Sequence, residues 1–233
     1  MKIALFGGSF DPIHQGHLEV AKAALNELDI DRLFVVPAWQ NPFKEGFFAP
    51  PQIRLEWVKA AFAGDEFTKI SICEFEINLA KPTPTILTAE FLKTRHNASE
   101  VLIIIGEDNL ATLHKWSEFD RLCQLAKFVI ATREESSNLV LTNALEERKF
   151  TLKQTESLEI SSQIRPFVKQ ILSVQNPLTS TQIRRRLKAA NQQFKTAKNS
   201  GGSEEELFLQ ALESFEEFLP KRVAKSVLEF YLN

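Results

Sequence analysis

The chain has 233 residues, of which 44% are hydrophobic, which is enough for one sizeable core or for one domain with a small appendage. The formal net charge of -2 argues against a general nucleic-acid binder, although a local basic pocket for phosphates remains compatible with it. No apolar run is long enough to cross a bilayer, and no signal-peptide cleavage pattern is present. We therefore expect a cytoplasmic protein with no nucleic-acid or membrane partner.

Over about the first 130 residues, strand patterns alternate with helix patterns. This β-α-β-α alternation is typical of an α/β fold with a doubly wound parallel sheet. In such a sheet, ligands bind at the carboxyl ends of the strands, near the switch in strand order. Strands are predicted at 2–6, 32–36, 69–77, 101–105 and 127–131, and helix patterns at 18–28, 53–62 and 85–95, with a further helix before 127.

The remainder of the chain is more polar. Strands are predicted at 149–154 and 168–174, and a helix begins near Thr179. Residues 191–206 are predicted to form a linker or loop because they are polar and contain Gly201-Gly202. These patterns suggest an α/β domain over 1–178 and a small C-terminal helical part over 179–233, with an insertion at 189–217.

An apolar stripe from Phe208 to Leu219 predicts a helix, and Pro220 is expected to start the final helix. The stripe could pack on its own domain or form a contact in a homo-oligomer. Two cysteines, Cys73 and Cys123, belong to no C-x-x-C pair, so we expect buried free thiols in a reducing compartment.

Residues 7–17 read G-G-S-F-D-P-I-H-Q-G-H and lie between a predicted strand and a predicted helix. Two glycines permit a tight turn and a close approach of backbone N–H groups to an anion. The helix that follows offers its positive N-terminal end, where His14 and His17 could donate hydrogen bonds to phosphate oxygens. The segment matches neither the Walker A pattern nor G-x-G-x-x-G, which argues against a P-loop enzyme and lowers the case for an oxidoreductase.

This segment resembles the motif G-[ST]-F-D-P-x-H-x-G-H of the nucleotidyltransferase superfamily. The resemblance implies that His14 and His17 bind the triphosphate of ATP and stabilise the pentavalent phosphorus. A metal-binding histidine pair is the alternative, but no third ligand stands at helical spacing. Asp11 is expected to bond loop amides, with no role in proton transfer. The resemblance also implies ATP-binding positions at Gly7, Gly8, Ser9, Phe10 and Gly16.

A second motif, L-T-S-T-Q-I-R-R-R-L at 178–187, resembles the late superfamily motif S-S-T-x-I-R-x-R. Ser180 and Thr181 could cap a helix and bond a phosphate, and Arg184 lies one turn further on. A guanidinium fork suits a phosphate, and the resemblance implies that this region holds the β- and γ-phosphates. Arg186 matches the last arginine of the motif. A basic solvated helix face with an ordinary cap is the alternative interpretation.

Residues 105–116, I-G-E-D-N-L-A-T-L-H-K-W, resemble the pattern I-G-x-D-x-L-x-x-L-x-x-W of the nicotinate-nucleotide adenylyltransferases. The resemblance implies that Gly106 and Asp108 contact ATP, with Asp108 near the ribose or the magnesium shell. Trp116 would stack on the pyridine ring, since a flat π face suits a flat cationic ring. A core tryptophan is the alternative for Trp116.

Further stretches resemble the same branch. Lys44 matches a lysine implied to contact phosphate and the nicotinate nucleotide, while Phe43 departs from the family's histidine. Thr85 matches a threonine implied to contact the nicotinate end, with a helix cap as the alternative. Arg54 matches a family arginine or is a surface helix residue, and Arg133 lies where the family has an arginine on the adenine-phosphate side.

The resemblance implies an enzyme that joins the AMP part of ATP to nicotinate mononucleotide, giving nicotinate adenine dinucleotide and pyrophosphate in NAD biosynthesis. Mg²⁺ would accompany ATP, without a metal site on the protein itself. The predicted cationic or donor set comprises His14, His17, Lys44 and Arg184. The alternatives are a nicotinamide-mononucleotide adenylyltransferase, a phosphopantetheine adenylyltransferase and a non-catalytic nucleotide sensor.

Overall fold

A computed structural model describes residues 1–40, 49–132, 168–174 and 179–232. Six parallel strands in these ranges form one sheet with the order β3-β2-β1-β4-β5-β6. The order reverses between β1 and β4, so the loops that leave these two neighbours diverge and open a crevice at their carboxyl ends. The strands are β1 (Lys2–Gly8), β2 (Arg32–Pro37), β3 (Ile70–Ile72), β4 (Glu100–Gly106), β5 (Lys127–Thr132) and β6 (Val168–Ser173).

Helices cover both faces of the sheet. The described residues contain α1 (Gln15–Glu27), α2 (Pro51–Ala61), α3 (Phe75–Leu79), α4 (Thr85–Arg95), α5 (Phe119–Leu125), α6 (Ser180–Asn199), α7 (Glu204–Ser214) and α8 (Lys221–Leu232), with 3₁₀ helices at Asp65–Phe67 and Glu107–Lys115.

Alternate residues of the strands enter two separate hydrophobic cores. Ala4 and Phe6 of β1 face the core that α1, α2, α6 and α8 complete. Ile3 and Leu5 face the core that α4, α5 and the second 3₁₀ helix complete. Both faces of β4 are buried, as its continuous apolar run predicts for a central parallel strand. The doubly wound parallel sheet inferred from the sequence is confirmed.

Most of the predicted elements are confirmed within one or two residues, but the strand predicted at 69–77 is half wrong. Only Ile70–Ile72 pair in the sheet, and Phe75–Leu79 form a short helix. Apolar residues alternate with polar ones through this stretch, a pattern that fits a strand and also fits one turn of a half-buried helix. Ala80 ends the helix in a left-handed conformation with φ of 52°.

The loop predicted at 191–206 is also wrong. Helix α6 continues to Asn199 because Ala190 and Phe194 pack against the core and Asn191 donates to the Tyr231 carbonyl, while Gln192 and Gln193 face solvent. The turn itself spans only Ser200–Ser203, where Gly201 has φ of 90°, a conformation that favours glycine. Polar composition therefore identified an exposed helix, and the glycine pair marked its end.

The Phe208–Leu219 stripe packs on the core of its own chain, with Phe215 and Leu219 fully buried and Phe208, Ala211 and Leu212 partly buried. Helix α7 ends at Ser214, before the end of the stripe. The predicted domain boundary after residue 178 remains a prediction. The strand predicted at 149–154 lies outside the described residues. Within the described ranges, no helix combines the length and apolar character needed to span a membrane.

Candidate functional site

The loop from Gly7 to His17 leaves β1 at the point where the strand order reverses. Phe10 adopts a left-handed conformation with φ of 49°, which folds its buried ring back over Gly8. A Cβ on Gly8 would lie 3.0 Å from that ring, tighter than an ordinary van der Waals contact, so glycine lets the ring approach the backbone without displacement. The Phe10 ring in turn meets the His17 ring edge-on, with centroids 4.9 Å apart. The loop thus positions a histidine through packing against its own aromatic side chain.

His14 and His17 stand together at the start of α1. Their ring centroids are 3.7 Å apart, with an angle of 37° between the rings. His14 is the residue that precedes the first turn of α1, and His17 Nδ1 accepts a hydrogen bond from the His14 backbone N–H at 3.1 Å. His14 is only 2% exposed, whereas His17 is half-buried. An accepting Nδ1 places the proton of a neutral His17 ring on Nε2, which makes Nε2–H a donor.

Arg54 of α2 fixes the backbone of the loop that follows β1. Its side chain is fully buried and donates to the carbonyl groups of Ser9 (2.5 Å), Trp39 (2.9 Å) and Ala49 (3.1 Å). Burial lowers the pKa of the guanidinium, and the charge of Asp11 acts in the opposite direction. The structure therefore makes Arg54 an internal clamp between the chain segments that follow β1 and β2, and the surface alternative is wrong.

The second motif lies against the first. Arg184 donates to the Asp11 carbonyl at 2.5 Å and to Thr181 Oγ1 at 3.1 Å. Ser180 Oγ donates to the Pro12 carbonyl at 3.2 Å. The expected cap is displaced by one residue: Thr179 precedes α6, and its Oγ1 accepts from the Gln182 backbone N–H at 3.1 Å.

Thr179 is the cap of α6 because it forms a reciprocal pair of hydrogen bonds with Gln182. Gln182 Oε1 accepts from the Thr179 backbone N–H at 2.9 Å, which completes a capping box that Ser180 and Thr181 could not make. The Arg186 side chain is directed to a different place from Arg184: its guanidinium lies over the Phe218 ring, 4.4 Å from the ring centroid.

Asp11 connects the loop to the C-terminal helix. Its carboxylate accepts from the Ala49 backbone N–H at 3.3 Å and from the Tyr231 hydroxyl at 3.2 Å, and the side chain is 2% exposed. Burial raises the pKa of Tyr231, and the neighbouring Asp11 charge raises it further. Asp11 therefore has the loop-bonding role expected from the sequence. We call Ser9–His17, the first turn of α6 and Tyr231 the phosphate half of the site.

A cleft of about 440 Å³ opens beside this loop. We call it the acceptor cleft. Its floor consists of the carboxyl ends of β1 and β4, and its walls come from the segment before α4 and from the second 3₁₀ helix. The lining residues include Gly7, Gly8, Glu76, Thr85, Gly106, Lys115 and Trp116.

Several residues predicted for the site meet at this cleft. Trp116 is half-buried on its wall, and its Nε1 is buried without a hydrogen-bond partner within the described part of the chain. Thr85 is the first residue of α4, whose leading N–H groups have no partner inside the helix. Pro84, not Thr85, precedes that helix as its cap position.

Gly106 ends β4 and leads to an exposed Asp108, whose Oδ1 accepts from the Asn109 side chain at 3.1 Å. A Cβ on Gly106 would lie 2.4 Å from that carboxylate oxygen, so glycine is what lets Asp108 take this position. Lys44 and Arg133 lie outside the described residues, and their predicted roles stay predictions.

Glu76 of α3 is a site residue that sequence reasoning missed. It lines the acceptor cleft, is 8% exposed, and its Oε1 accepts from the Thr88 hydroxyl at 2.8 Å. Burial raises the pKa of this carboxyl to about 7, against a smaller lowering by the Thr88 hydrogen bond. The signal in the sequence was a glutamate between two apolar residues, Phe75 and Ile77, within the stretch predicted as a strand.

The free thiols expected from the sequence are confirmed. Cys73 and Cys123 are both buried and unpaired with each other. Burial raises the pKa of Cys73 and raises that of Cys123 to about 11, so both remain protonated thiols at neutral pH. Neither belongs to the site.

Comparison with known proteins places this geometry among nucleotide-transferring enzymes. The model of the family described as "Cytidylyltransferase-like" matches residues 5–186. The chain is 47% identical over 134 residues to a protein of a Nitratiruptor species named "Probable nicotinate-nucleotide adenylyltransferase", which covers 58% of this chain and 75% of that protein. A protein of the same name from Campylobacter jejuni is 45% identical over 135 residues, which is 58% of this chain and 74% of that protein.

A solved structure shares the fold at low sequence identity. The Plasmodium falciparum nicotinic acid mononucleotide adenylyltransferase complexed with NaAD superposes with a TM-score of 0.58 over 99% of this chain and 95% of its own, at 17% identity. The shared fold thus extends through the C-terminal helices.

Proposed function

Since the chain belongs to the cytidylyltransferase-like family, and within it to the nicotinate-nucleotide adenylyltransferases, we propose that it transfers AMP from ATP to nicotinate mononucleotide. The products are nicotinate adenine dinucleotide and pyrophosphate. The observation that carries the proposal is the union of two motifs at the strand switch: Arg184 and Ser180 of the second motif hydrogen-bond to Asp11 and Pro12 of the first.

The reaction is an in-line displacement at the α-phosphorus of ATP. An oxygen of the acceptor's phosphate forms the new P–O bond, while the bond to the β-phosphate bridging oxygen breaks and pyrophosphate leaves with the electron pair. A phosphate monoester has a second pKa near 6, so it is mostly dianionic at neutral pH and needs no general base. Catalysis therefore depends on orientation and on neutralising the charge of the transition state.

His17 supplies a donor with a defined tautomer. Its Nδ1 is occupied by the His14 backbone N–H, so Nε2–H is the group that can meet a phosphate oxygen. The first turn of α1 adds the positive end of its dipole at the same place. His14, packed against His17, holds the second ring of the pair at the helix start.

Arg184 is the protein group assigned to the β- and γ-phosphates in this proposal, and Mg²⁺ would enter the site together with ATP. Among the described residues, no group of three or more histidine, cysteine or acidic side chains could hold a metal ion. The side-chain donors of the phosphate half include histidine and arginine nitrogens, so Mg²⁺ would be held by ATP itself and by water, and Asp108 is the first exposed carboxylate along the chain after β4. Bound Mg²⁺ would neutralise the leaving pyrophosphate.

The acceptor cleft suits a flat heterocycle with an anionic substituent. Trp116 lines the cleft, and an indole ring offers a flat π surface to a heterocycle. Helix α4 begins at Thr85 on the same cleft, and the N-terminus of an eleven-residue helix attracts a carboxylate. The nicotinate ring carries such a carboxylate, whereas nicotinamide does not.

Pyrophosphate release with ATP and Mg²⁺ tests the proposal when nicotinate mononucleotide, nicotinamide mononucleotide and phosphopantetheine are compared as acceptors. We expect the highest kcat/KM with nicotinate mononucleotide. Turnover with another acceptor alone would retain the phosphate chemistry and overturn the assigned acceptor. Silence with all three would indicate a nucleotide sensor instead of an enzyme.

A further inference from the structure

Glu76 is the one acidic side chain among the described residues that line the acceptor cleft, and Lys115 is the one basic side chain there. A carboxyl group beside a pocket for an anionic acceptor calls for an explanation, because two carboxylates in a shared apolar site repel each other. The inference drawn below rests on the proposed function, since it concerns how the acceptor is selected.

The hydrogen bond to Thr88 fixes the orientation of the carboxyl group. Thr88 lies one turn beyond Thr85 on α4, and its hydroxyl donates to Glu76 Oε1 at 2.8 Å. Oε1 is therefore an acceptor, and in the neutral acid the proton resides on Oε2. Within the described part of the chain, Oε2 makes no hydrogen bond. Because Glu76 lines the cleft, its neutral form offers one O–H donor to a cleft that Thr85 at the start of α4 also lines.

We propose that Glu76 is a specificity-determining residue, which in its neutral form donates a hydrogen bond from Oε2–H to the carboxylate of the acceptor. An O–H donor to a carboxylate is charge-assisted and stronger than the same bond to a neutral amide. Once ionised, Glu76 repels the acceptor carboxylate and instead accepts from an amide NH₂. The preference for acid over amide therefore depends on the protonation of a single side chain.

The surroundings of Glu76 favour the neutral form up to neutral pH. Burial is the main cause that raises its pKa to about 7. The charged or titratable groups on the neighbouring elements include Cys73 before α3, Glu74 paired at 3.0 Å with Lys59 of α2, Glu90, Lys93 and Arg95 on α4, and Lys115 in the cleft lining. None of them is among the causes of the raised Glu76 pKa, which are burial and the opposing Thr88 hydrogen bond. The cation of Lys59 is already engaged by Glu74, so it does not neutralise Glu76.

The test is the ratio of kcat/KM for nicotinate mononucleotide to that for nicotinamide mononucleotide, measured by pyrophosphate release across pH. Both acceptors carry the same phosphate, and both reactions use the same histidines, so their titrations cancel in the ratio. We expect the ratio to fall on the order of tenfold for each unit of pH above about 7, as the neutral fraction of Glu76 declines.

Three variants separate Glu76 from its neighbours. Glu76→Gln keeps the bond to Thr88 and replaces Oε2–H with an amide donor, so its ratio should be independent of pH. Thr88→Val removes the contact that lowers the Glu76 pKa, so the midpoint of the fall should move to higher pH. Glu74→Gln changes a carboxylate on the surface two residues earlier, so its ratio should depend on pH as that of the unmodified protein does.

Thermal unfolding gives a second readout that does not depend on turnover. A carboxyl whose folded pKa is about 7 and whose ordinary value is 4.5 favours the folded state less and less as pH rises between those values. At pH values above 7, Glu76→Gln should therefore have a higher Tm than the unmodified protein. At a pH near 4.5, the two proteins should have the same Tm.

The outcomes are distinct. A pH-dependent ratio that persists in Glu76→Gln, while the unmodified protein still prefers nicotinate mononucleotide, overturns the role of Glu76 and leaves the proposed function intact. Failure of every acceptor at every pH overturns the proposed function, and the role of Glu76 falls with it. A ratio that titrates only when Glu76 is present supports both.

Discussion

The two halves of the site are built by different interactions. The phosphate half is held together by hydrogen bonds between distant segments. Arg54 joins the loops after β1 and β2, and Asp11 is bonded by Arg184 of α6 and by Tyr231 of α8. The acceptor cleft is lined mainly by apolar side chains and glycines, and its side-chain bonds are short-range, such as those from Thr88 to Glu76 and from Asn109 to Gly106. A triphosphate demands donors at fixed positions, whereas a flat ring demands a slot of the right width. The difference predicts that substitutions in the phosphate half disturb both stability and turnover, and that those in the cleft alter selectivity.

The largest effect is expected for Arg54→Met. Loss of the guanidinium leaves the carbonyl groups of Ser9, Trp39 and Ala49 without this donor, and each such group costs about 1–3 kcal/mol when it is buried. We expect a loss of about 3 kcal/mol or more in the free energy of unfolding, measured from urea transitions at constant m-value.

Arg121→Met is the matched control. Arg121 pairs with Glu118 and Glu90 on the opposite face of the sheet, but its side chain is 55% exposed. Exposed ion pairs contribute about 0–1 kcal/mol, so this variant should unfold almost as the unmodified protein does. Equal losses for the two arginine variants would refute the idea that Arg54 is an internal clamp.

The next effect is expected at His17. Removing one transition-state donor typically lowers kcat on the order of a hundredfold or more, so His17→Ala should show at least that loss. His17→Ala also removes the acceptor for the His14 N–H, which weakens the start of α1. His17→Gln separates the two roles, because a glutamine at this third helical position can accept from the same backbone N–H.

We therefore expect His17→Gln to retain the Tm of the unmodified protein and still to lose most of its kcat. His114→Ala, at an exposed position in the second 3₁₀ helix, should change neither quantity. Near-normal turnover in a folded His17→Ala would remove His17 from the proposed chemistry.

How far the sequence predicts this molecule also differs between the two halves. The positions of most strands, the two phosphate motifs and the position of Trp116 follow from local patterns, because buried parallel strands and Gly-rich turns carry their signal within about ten residues. The contacts that fix the phosphate half are not local: Tyr231 lies 220 positions from Asp11, and Arg184 lies 173 positions from it. No periodicity in the chain indicates such pairs.

In the acceptor cleft, Glu76 was missed by sequence reasoning for another reason. Glu76 belongs to a five-residue helix, a length at which strand and helix patterns cannot be told apart, and its burial results from the packing of α3 and α4. Its raised pKa is a property of that environment, which composition does not reveal. The sequence therefore predicted which chemistry the site performs better than which residue selects its acceptor.

The smallest effect is expected for Tyr231→Phe, which measures how much α8 contributes to the phosphate half. The hydroxyl donates to Asp11 Oδ1, and the Ala49 N–H still donates to the same oxygen when the hydroxyl is removed. A net loss of about 1 kcal/mol in stability follows, together with a fall of less than about tenfold in kcat, because Arg184 still holds the Asp11 carbonyl. Urea unfolding and pyrophosphate release measure the two quantities.

Ser226→Ala is the matched control on α8. It removes a hydroxyl that bonds within that helix, so it should change neither stability nor kcat. If Tyr231→Phe were equally neutral, the C-terminal helix would support the core without steadying the loop, and the contacts made by Arg54, Ser180 and Arg184 would be enough to hold the phosphate half.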